Sequence, residues 1–326
     1  MAKFKVYISD YDYPDLSVER SVLEPIGAEV IGLQCKTGEG LAELAADADA
    51  ILQQYAKIPR ETIAKLKRCK AICRYGIGVD IVDVRAAYEH GMVVTNVPDY
   101  CLDEVADHTI AMGFLLLRRI PMYAAAARQG RWHWSASGGP VFRFRDLTWG
   151  LVGFGRIAQN IARKLGPFGF SVVAFDPYIS ASYMRTLGVR KASLDELLAG
   201  ADLVNVMCPH TPETHHLIDE AALRKMKRHG VLVNCARGKI VDNRALYQAL
   251  TEGWIAAAGL DDTEDEPAKQ AAWSPESNPL FRVDNCIITP HVAYVSEEAL
   301  REGRRIAAEN ARAVLRGEPP LNPVRP

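Results

Sequence analysis

No charge of one sign dominates this sequence: 39 lysines and arginines face 40 aspartates and glutamates. A chain so balanced has no long-range field with which to collect nucleic acid or an anionic membrane surface, so neither partner is expected, and a charged ligand must be met locally. Apolar runs are short, none nearing the ~18 residues that a membrane-spanning helix needs. The opening stretch MAKFKVYISD lacks the apolar core and small-residue cleavage site of a secretory signal, which makes a cytoplasmic location the expectation. Cysteines are odd in number, seven in all, and scattered through apolar segments (Cys35, Cys69, Cys73, Cys101, Cys208, Cys235 and Cys286), so reduced and mostly buried thiols are expected. Cys69 and Cys73 would share one face of a helix, but no second pair follows at zinc-like spacing, and no metal is expected. Internal repeats and low-complexity blocks are missing too.

What is present is an α/β pattern. At 326 residues the chain exceeds the ~250 to 300 at which single cores stop growing, so two domains are expected. Short β-branched runs alternate with stretches of helical period, as in βαβ units around a parallel sheet. The first series of strand candidates is Lys5 to Ser9, Glu29 to Gly32, Ala50 to Gln53, Ala71 to Arg74 and Val93 to Thr95, with a helix over Arg60 to Lys67 after Pro59. A second, more regular series is Trp149 to Gly153, helix Arg156 to Leu165, Ser171 to Asp176, Leu203 to Met207, Val231 to Asn234, Ala256 to Leu260 and Asn285 to Thr289. Leu102 to Arg119 reads as a buried connecting helix ending before Pro121. Ala124 to Asp146, with Trp132 and Trp134, reads as an ordered loop or an arm that packs on something, and the tail from Gly317 as extended.

Gly153, Gly155 and Ala158 stand at the G-x-G-x-x-G/A spacing, directly after a strand and opening a helix. Gly153 allows the tight turn, Gly155 lets the backbone approach a pyrophosphate at the helix N-terminus, and Ala158 permits close helix-to-strand packing. The next strand ends in Asp176, near the spacing at which a carboxylate accepts hydrogen bonds from an adenosine ribose and repels a 2'-phosphate. The pattern points to NAD.

Three further residues lie just past strands of the same half, where open α/β sheets bind ligands. Arg237, in Asn234-Cys-Ala-Arg237-Gly238, can grip a carboxylate bidentately. Glu266 ends the acidic stretch Asp261 to Glu266, and His291 follows Thr289-Pro290. Singly, each has an ordinary structural reading as an ion pair or a loop-bonded side chain. Together they make a candidate catalytic set.

These motifs, with Arg74-Tyr-Gly76-Ile-Gly78-Val-Asp80, Asn96-Val-Pro98 and Pro209-His-Thr-Pro212, resemble the D-isomer-specific 2-hydroxyacid dehydrogenase family across essentially the whole chain. Asp176-Pro-Tyr, His215-His-Leu-Ile and Tyr294-Val-Ser-Glu-Glu resemble its C-terminal-binding-protein branch most. The resemblance implies two doubly wound parallel-sheet domains, a Rossmann NAD-binding domain (99–295) inserted into a flavodoxin-like substrate domain (1–98 and 296–326), with a hinge between them. It implies that Arg237 orients the carboxylate of a small 2-oxo or 2-hydroxy acid, that His291 is the general acid and base, and that Glu266 hydrogen-bonds His291. It further implies that Gly153, Gly155, Arg156, Ile157, Asp176, Cys208, Pro209, His210, Thr214, Cys235, Ala236, Asp261 and His291 line the cofactor site. Tyr75, Gly76, Arg237 and Tyr294 would face the substrate, and the protein would be a homodimer.

Departures from the family pattern concentrate at the pocket. Asp262-Thr263 stands where apolar pairs such as Val-Phe are common, and Tyr294 where the C-terminal-binding branch has Trp. Leu52-Gln-Gln-Tyr-Ala lacks the arginines expected of a phosphoglycerate dehydrogenase, leaving Lys57 or Arg60 as substitutes for a phosphate contact. An unphosphorylated 2-oxo acid is therefore the favoured substrate, with phosphoglycerate as an alternative. A reading of a different class is an NAD(H)-sensing scaffold like the C-terminal-binding proteins. The intact catalytic set favours the enzyme.

Overall fold

The computed structural model describes residues 3–267, 270 and 273–326. Its strands are β1 (Phe4–Ile8), β2 (Ala28–Gly32), β3 (Ala50–Gln53), β4 (Ala71–Arg74), β5 (Val93–Thr95), β6 (Thr148–Val152), β7 (Ser171–Phe175), β8 (Arg190–Lys191), β9 (Leu203–Val206), β10 (Val231–Asn234), β11 (Ala257–Leu260), β12 (Cys286–Ile288) and β13 (Pro323–Val324). They form two sheets in two compact units. One unit takes in the described residues up to Cys101 together with Gln270 and Val295–Pro326, and the other the described residues from Leu102 to Pro267 and on to Tyr294.

In the first unit the sheet order is β13-β5-β4-β3-β1-β2. Without β13 this is the 2-1-3-4-5 order of flavodoxin-like folds. β1 to β5 pair in parallel, and β13 runs antiparallel to β5. Alternation along each strand feeds two cores: Val6, Ile8, Leu52 and Cys73 on one face, Tyr7, Ile51, Ile72 and Val94 on the other. Burial on both faces is why these strands read as unbroken apolar runs. The helix Glu297–Arg316 covers the first face. Ser296 caps its start by accepting from the Ala299 N–H, and Gly317 ends it in the left-handed conformation.

In the second unit the order is β12-β11-β10-β9-β6-β7-β8, all parallel. Counted within the unit, this is the 3-2-1-4-5-6 Rossmann order with one strand added, and the order reverses between β6 and β9. Val152, Val204, Leu232 and Leu260 face one core, and Trp149, Leu151, Leu203 and Val233 the other. The helix Leu102–Leu117 lies close on that second face: a Cβ on Gly113 would collide with the Trp149 ring, and one on Gly259 with the Met112 side chain. Helix Arg156–Leu165 buries Ala158, Ile161, Ala162 and Leu165, the stripe its period demands.

Three expectations need correction. The stretch after Arg119 is not loop throughout, because a helix occupies Ile120–Arg128. Pro121 stops the preceding helix but sits in the first turn of the new one, where its missing N–H costs nothing. The helix after Pro59 closes at Ile63 instead of Lys67. Cys69 and Cys73 do not share a helix face, since Cys73 lies in β4. The tail is extended as expected, and part of it pairs as β13.

The remainder of the arm is ordered through Arg119, which donates to the Ser137 carbonyl at 2.9 Å, and Tyr123, which donates to the Trp134 carbonyl at 2.6 Å. Trp132 and Trp134 stand out from it, 89% and 80% exposed. Among the described residues no single helix is long and apolar enough to cross a membrane.

Candidate active site

The glycine loop leaves β6 at the point where the strand order reverses. Gly153 has φ +93°, and a Cβ there would sit 2.7 Å from the Cys208 backbone nitrogen, so no other residue fits. Gly155 differs: a Cβ on it would meet nothing within 4 Å, which leaves open space at the N-terminus of helix Arg156–Leu165, with Ile157 in its first turn. That space suits a pyrophosphate approached by backbone N–H groups. Asp176 accepts from the N–H groups of Phe154 at 2.9 Å, Tyr178 at 2.8 Å and Ile179 at 3.1 Å, which ties the glycine loop to the end of β7.

The loop after β9 is closed on itself. Thr214 Oγ1 accepts from the Thr211 N–H and donates to the Pro209 carbonyl, both at 2.7 Å. His210 Nε2 lies 3.2 Å from His215 Nδ1, the His215 and His216 rings stack at 4.1 Å, and His216 Nε2 meets Glu264 Oε1 at 2.6 Å. Burial pushes the Cys208 thiol up to about 11 and the Cys235 thiol to about 12. Both are neutral thiols at physiological pH and not nucleophiles.

Arg237 is presented by a turn that Asn234 builds. The Asn234 side chain accepts from the Ala236 N–H at 3.0 Å and donates to the Arg237 carbonyl at 2.8 Å. Arg237 Nη1 donates to the Ala236 carbonyl at 2.9 Å, and the residue is half-buried. Gly238 follows because a Cβ there would collide with the Thr263 carbonyl, so the loops after β10 and β11 are fitted together at that point. Lys239 then reaches Glu266 Oε2 at 3.0 Å.

Asp261 organises the His291 loop. Its carboxylate accepts from Thr289 Oγ1 at 2.6 Å and from the Val292 and Ala293 N–H groups at 2.9 Å each. Burial holds this carboxyl above the usual range in spite of those bonds. The His291 N–H donates to the Asp261 carbonyl at 2.6 Å. His108, from helix Leu102–Leu117, approaches Thr289 Oγ1 at 3.1 Å and Asp261 at 3.8 Å. The His291 ring meets the Tyr294 ring edge-on at 6.2 Å, and its Nδ1 lies 3.5 Å from Asp262 Oδ2.

His291 and Glu266 share a backbone feature: φ of +56° and +49° in residues other than glycine. His216 does the same at +52°. Such conformations cost of order 1 kcal/mol or more and persist where surrounding contacts over-determine them, as at catalytic sites. Tyr75 and Gly76 lie in the other unit. The Tyr75 side chain turns inward to donate to Glu19 Oε1 at 3.0 Å, and leaves only its backbone available at the end of β4.

The sequence model of the D-isomer-specific 2-hydroxyacid dehydrogenase family, NAD binding domain, matches residues 110–293. The chain belongs to this family. It is 38% identical over 299 residues to a D-3-phosphoglycerate dehydrogenase of Methanocaldococcus jannaschii, which covers 91% of this chain but 55% of that protein. A glyoxylate reductase of Korarchaeum cryptofilum is 36% identical over 285 residues, 86% of this chain and 84% of that one. The chain thus spans about half the length of the phosphoglycerate dehydrogenases it matches. A D-lactate dehydrogenase of Aquifex aeolicus, solved with NAD and lactic acid, superposes with a TM-score of 0.87 over 96% of each chain at 28% identity.

The matching family model is of an NAD-binding domain, and residues 153–176 form a loop and strand end that suit a dinucleotide. The local geometry fits: a mandatory glycine, an open position two residues on, and a carboxylate at the end of β7. Sequence reasoning gave no role to Asp262, Lys239, Glu264, His216 or His108. The one available signal was the pair Asp262-Thr263, polar residues directly after an apolar strand.

Proposed function

We propose that the protein is an NAD-dependent dehydrogenase that interconverts a small 2-oxo acid and its D-2-hydroxy acid. The observation that carries this reading is that Arg237, Glu266 and His291 stand on loops following the adjacent strands β10, β11 and β12, with two of the three held in a strained backbone. We infer that the unit from Leu102 to Tyr294 is the cofactor domain and the other the substrate domain, to which the Tyr75 and Gly76 backbone contributes.

The Gly153 to Ile157 turn, Asp176, and the loops of Cys208 to Thr214 and Cys235 to Ala236 would hold NAD, which would supply hydride for reduction and accept it in oxidation. Arg237 binds the substrate carboxylate with its guanidinium fork and polarises the 2-oxo group. His291 gives a proton to the substrate oxygen during reduction and takes one during oxidation, because an imidazole exchanges protons near neutral pH. Glu266 supports the protonated imidazole, and Lys239 balances the charge of Glu266. Tyr294, beside His291, shapes the pocket.

An unphosphorylated acid fits best. Arg60, one candidate for a phosphate contact, is engaged with Glu89 at 2.7 Å and Asp83 at 3.8 Å. The reading carries with it a cytoplasmic homodimer in which the exposed Trp132 and Trp134 meet the second subunit. The test is NADH oxidation with glyoxylate, pyruvate, hydroxypyruvate and phosphohydroxypyruvate, followed by chiral analysis of the product. Turnover giving the D product supports the reading. Tight NADH binding with no turnover across the panel, and NADH-driven assembly in its place, would favour the scaffold.

A further inference from the structure

Asp262 occupies a position where the family resemblance leads one to expect an apolar side chain, yet it is 7% exposed and directly beside the proton-transfer residue. It follows β11 immediately. Its Oδ1 accepts from the Thr263 N–H at 3.0 Å, which fixes the carboxylate, and its Oδ2 lies 3.5 Å from His291 Nδ1, an electrostatic contact and not a hydrogen bond. We propose that Asp262 is a positioning residue for His291: it holds the Nδ1 edge of the ring, leaves Nε2 as the edge that exchanges protons with substrate, and favours the protonated ring. This inference rests on the dehydrogenase reading and adds a carboxylate that the resemblance does not supply.

Asp262 acts alongside the other charged and titratable groups around the ring, Glu266 among them. Asp261 has both oxygens committed to Thr289, Val292 and Ala293, with His108 at 3.8 Å. Glu266 is paired with Lys239 at 3.0 Å, Tyr294 meets the ring edge-on, and Arg237 stands at the end of β10. Asp262 thus supplies a negative charge at ion-pair distance from Nδ1 in a nearly buried setting, where water screens it little.

The sign follows from charge. Favouring the imidazolium keeps the general acid loaded to higher pH, which biases the enzyme toward 2-oxo acid reduction. The test measures the pH dependence of kcat/KM for reduction in the wild type and Asp262→Asn. In parallel, nuclear magnetic resonance follows the His291 titration in both full-length proteins, with His291→Gln identifying the signal. In Asp262→Asn the His291 midpoint and the alkaline limb of reduction should both move down by about one pH unit, a tenfold loss of rate well above the midpoint, with the low-pH plateau within about twofold.

An unchanged midpoint overturns the inference, whether or not the plateau falls. If the wild type turns over no 2-oxo acid, the dehydrogenase reading fails, and the His291 titration alone decides whether Asp262 is coupled to the ring. Should Asp262→Asn fail to fold, Asp262→Ser serves in its place, judged by the same midpoint.

Discussion

Each unit holds a cluster of buried charge, and the two differ in how the fold carries them. In the first unit Glu19, fully buried, accepts from Tyr75 at 3.0 Å and from Arg304 Nε and Nη2 at 2.9 and 2.7 Å, while Arg304 also lies over the Tyr13 ring. Both residues sit inside ordinary helices, Ser17–Leu23 and Glu297–Arg316. The cluster after β11 and β12 in the second unit gathers three carboxylates and an imidazole on loops, and two of its members, Glu266 and His291, adopt left-handed backbone conformations. Burial of charge alone therefore does not mark a site. A bidentate pair between two helices fastens elements together, whereas charges held on strained loops at strand ends have been placed at a cost to the backbone, the signature of chemistry.

Exchanging the two roles is the way to break this comparison. His291→Ala should lower kcat/KM for 2-oxo acid reduction by about a thousandfold, the scale of general acid catalysis, with little change in urea unfolding. Glu19→Gln should do the reverse. It leaves Arg304 buried without its charge partner, so unfolding should become easier by about 3 to 5 kcal/mol, while turnover per folded molecule stays within a few-fold. A loss of activity in Glu19→Gln that exceeds the loss of folded protein would show that the two clusters are not separate.

The glycine loop sharpens the distinction at smaller scale. Gly153→Ala should destabilise the fold by more than about 1 kcal/mol, through its positive φ and the Cys208 backbone. Gly155→Ala should leave stability unchanged and weaken NADH binding about tenfold, read by fluorescence titration, because its Cβ enters open space and not protein.

The smallest expected effect concerns pH. Asp261 is held above the usual carboxylate range by burial, so the folded chain takes up this proton before the unfolded chain does. The stability contribution of that group is therefore present at low pH and is lost as the pH rises through its raised value. In Asp261→Asn this term is gone, and the unfolding free energy should fall more steeply on acidification from neutral pH than in the wild type. Parallel profiles would mean that Asp261 is not shifted in the way burial implies.

Much of the architecture was legible because the parallel strands are buried on both faces. Ala50–Gln53, Ala71–Arg74, Val93–Thr95 and Val231–Asn234 form at the expected bounds. The break at Arg119 was not legible. Pro121 reads equally as the end of one helix and the first turn of the next, and the deciding fact, φ +54° at Arg119, has no sequence signature in an arginine. In the site, Arg237, Glu266 and His291 could be picked out as residues after strands. The contacts among loops could not: Lys239 with Glu266, His216 with Glu264 and Asp262 with His291 join residues 27 positions apart or more, and only the three-dimensional register of β9 to β12 brings them together.

The backbone at His291 and Glu266 has a consequence for selection. At φ near +50°, glycine or asparagine would sit with less strain than the residues present, so a random library screened only for heat resistance should tend to discard the pair proposed to carry the chemistry. Thermal robustness and catalytic competence pull these two positions in opposite directions, and their identity records which pressure has prevailed.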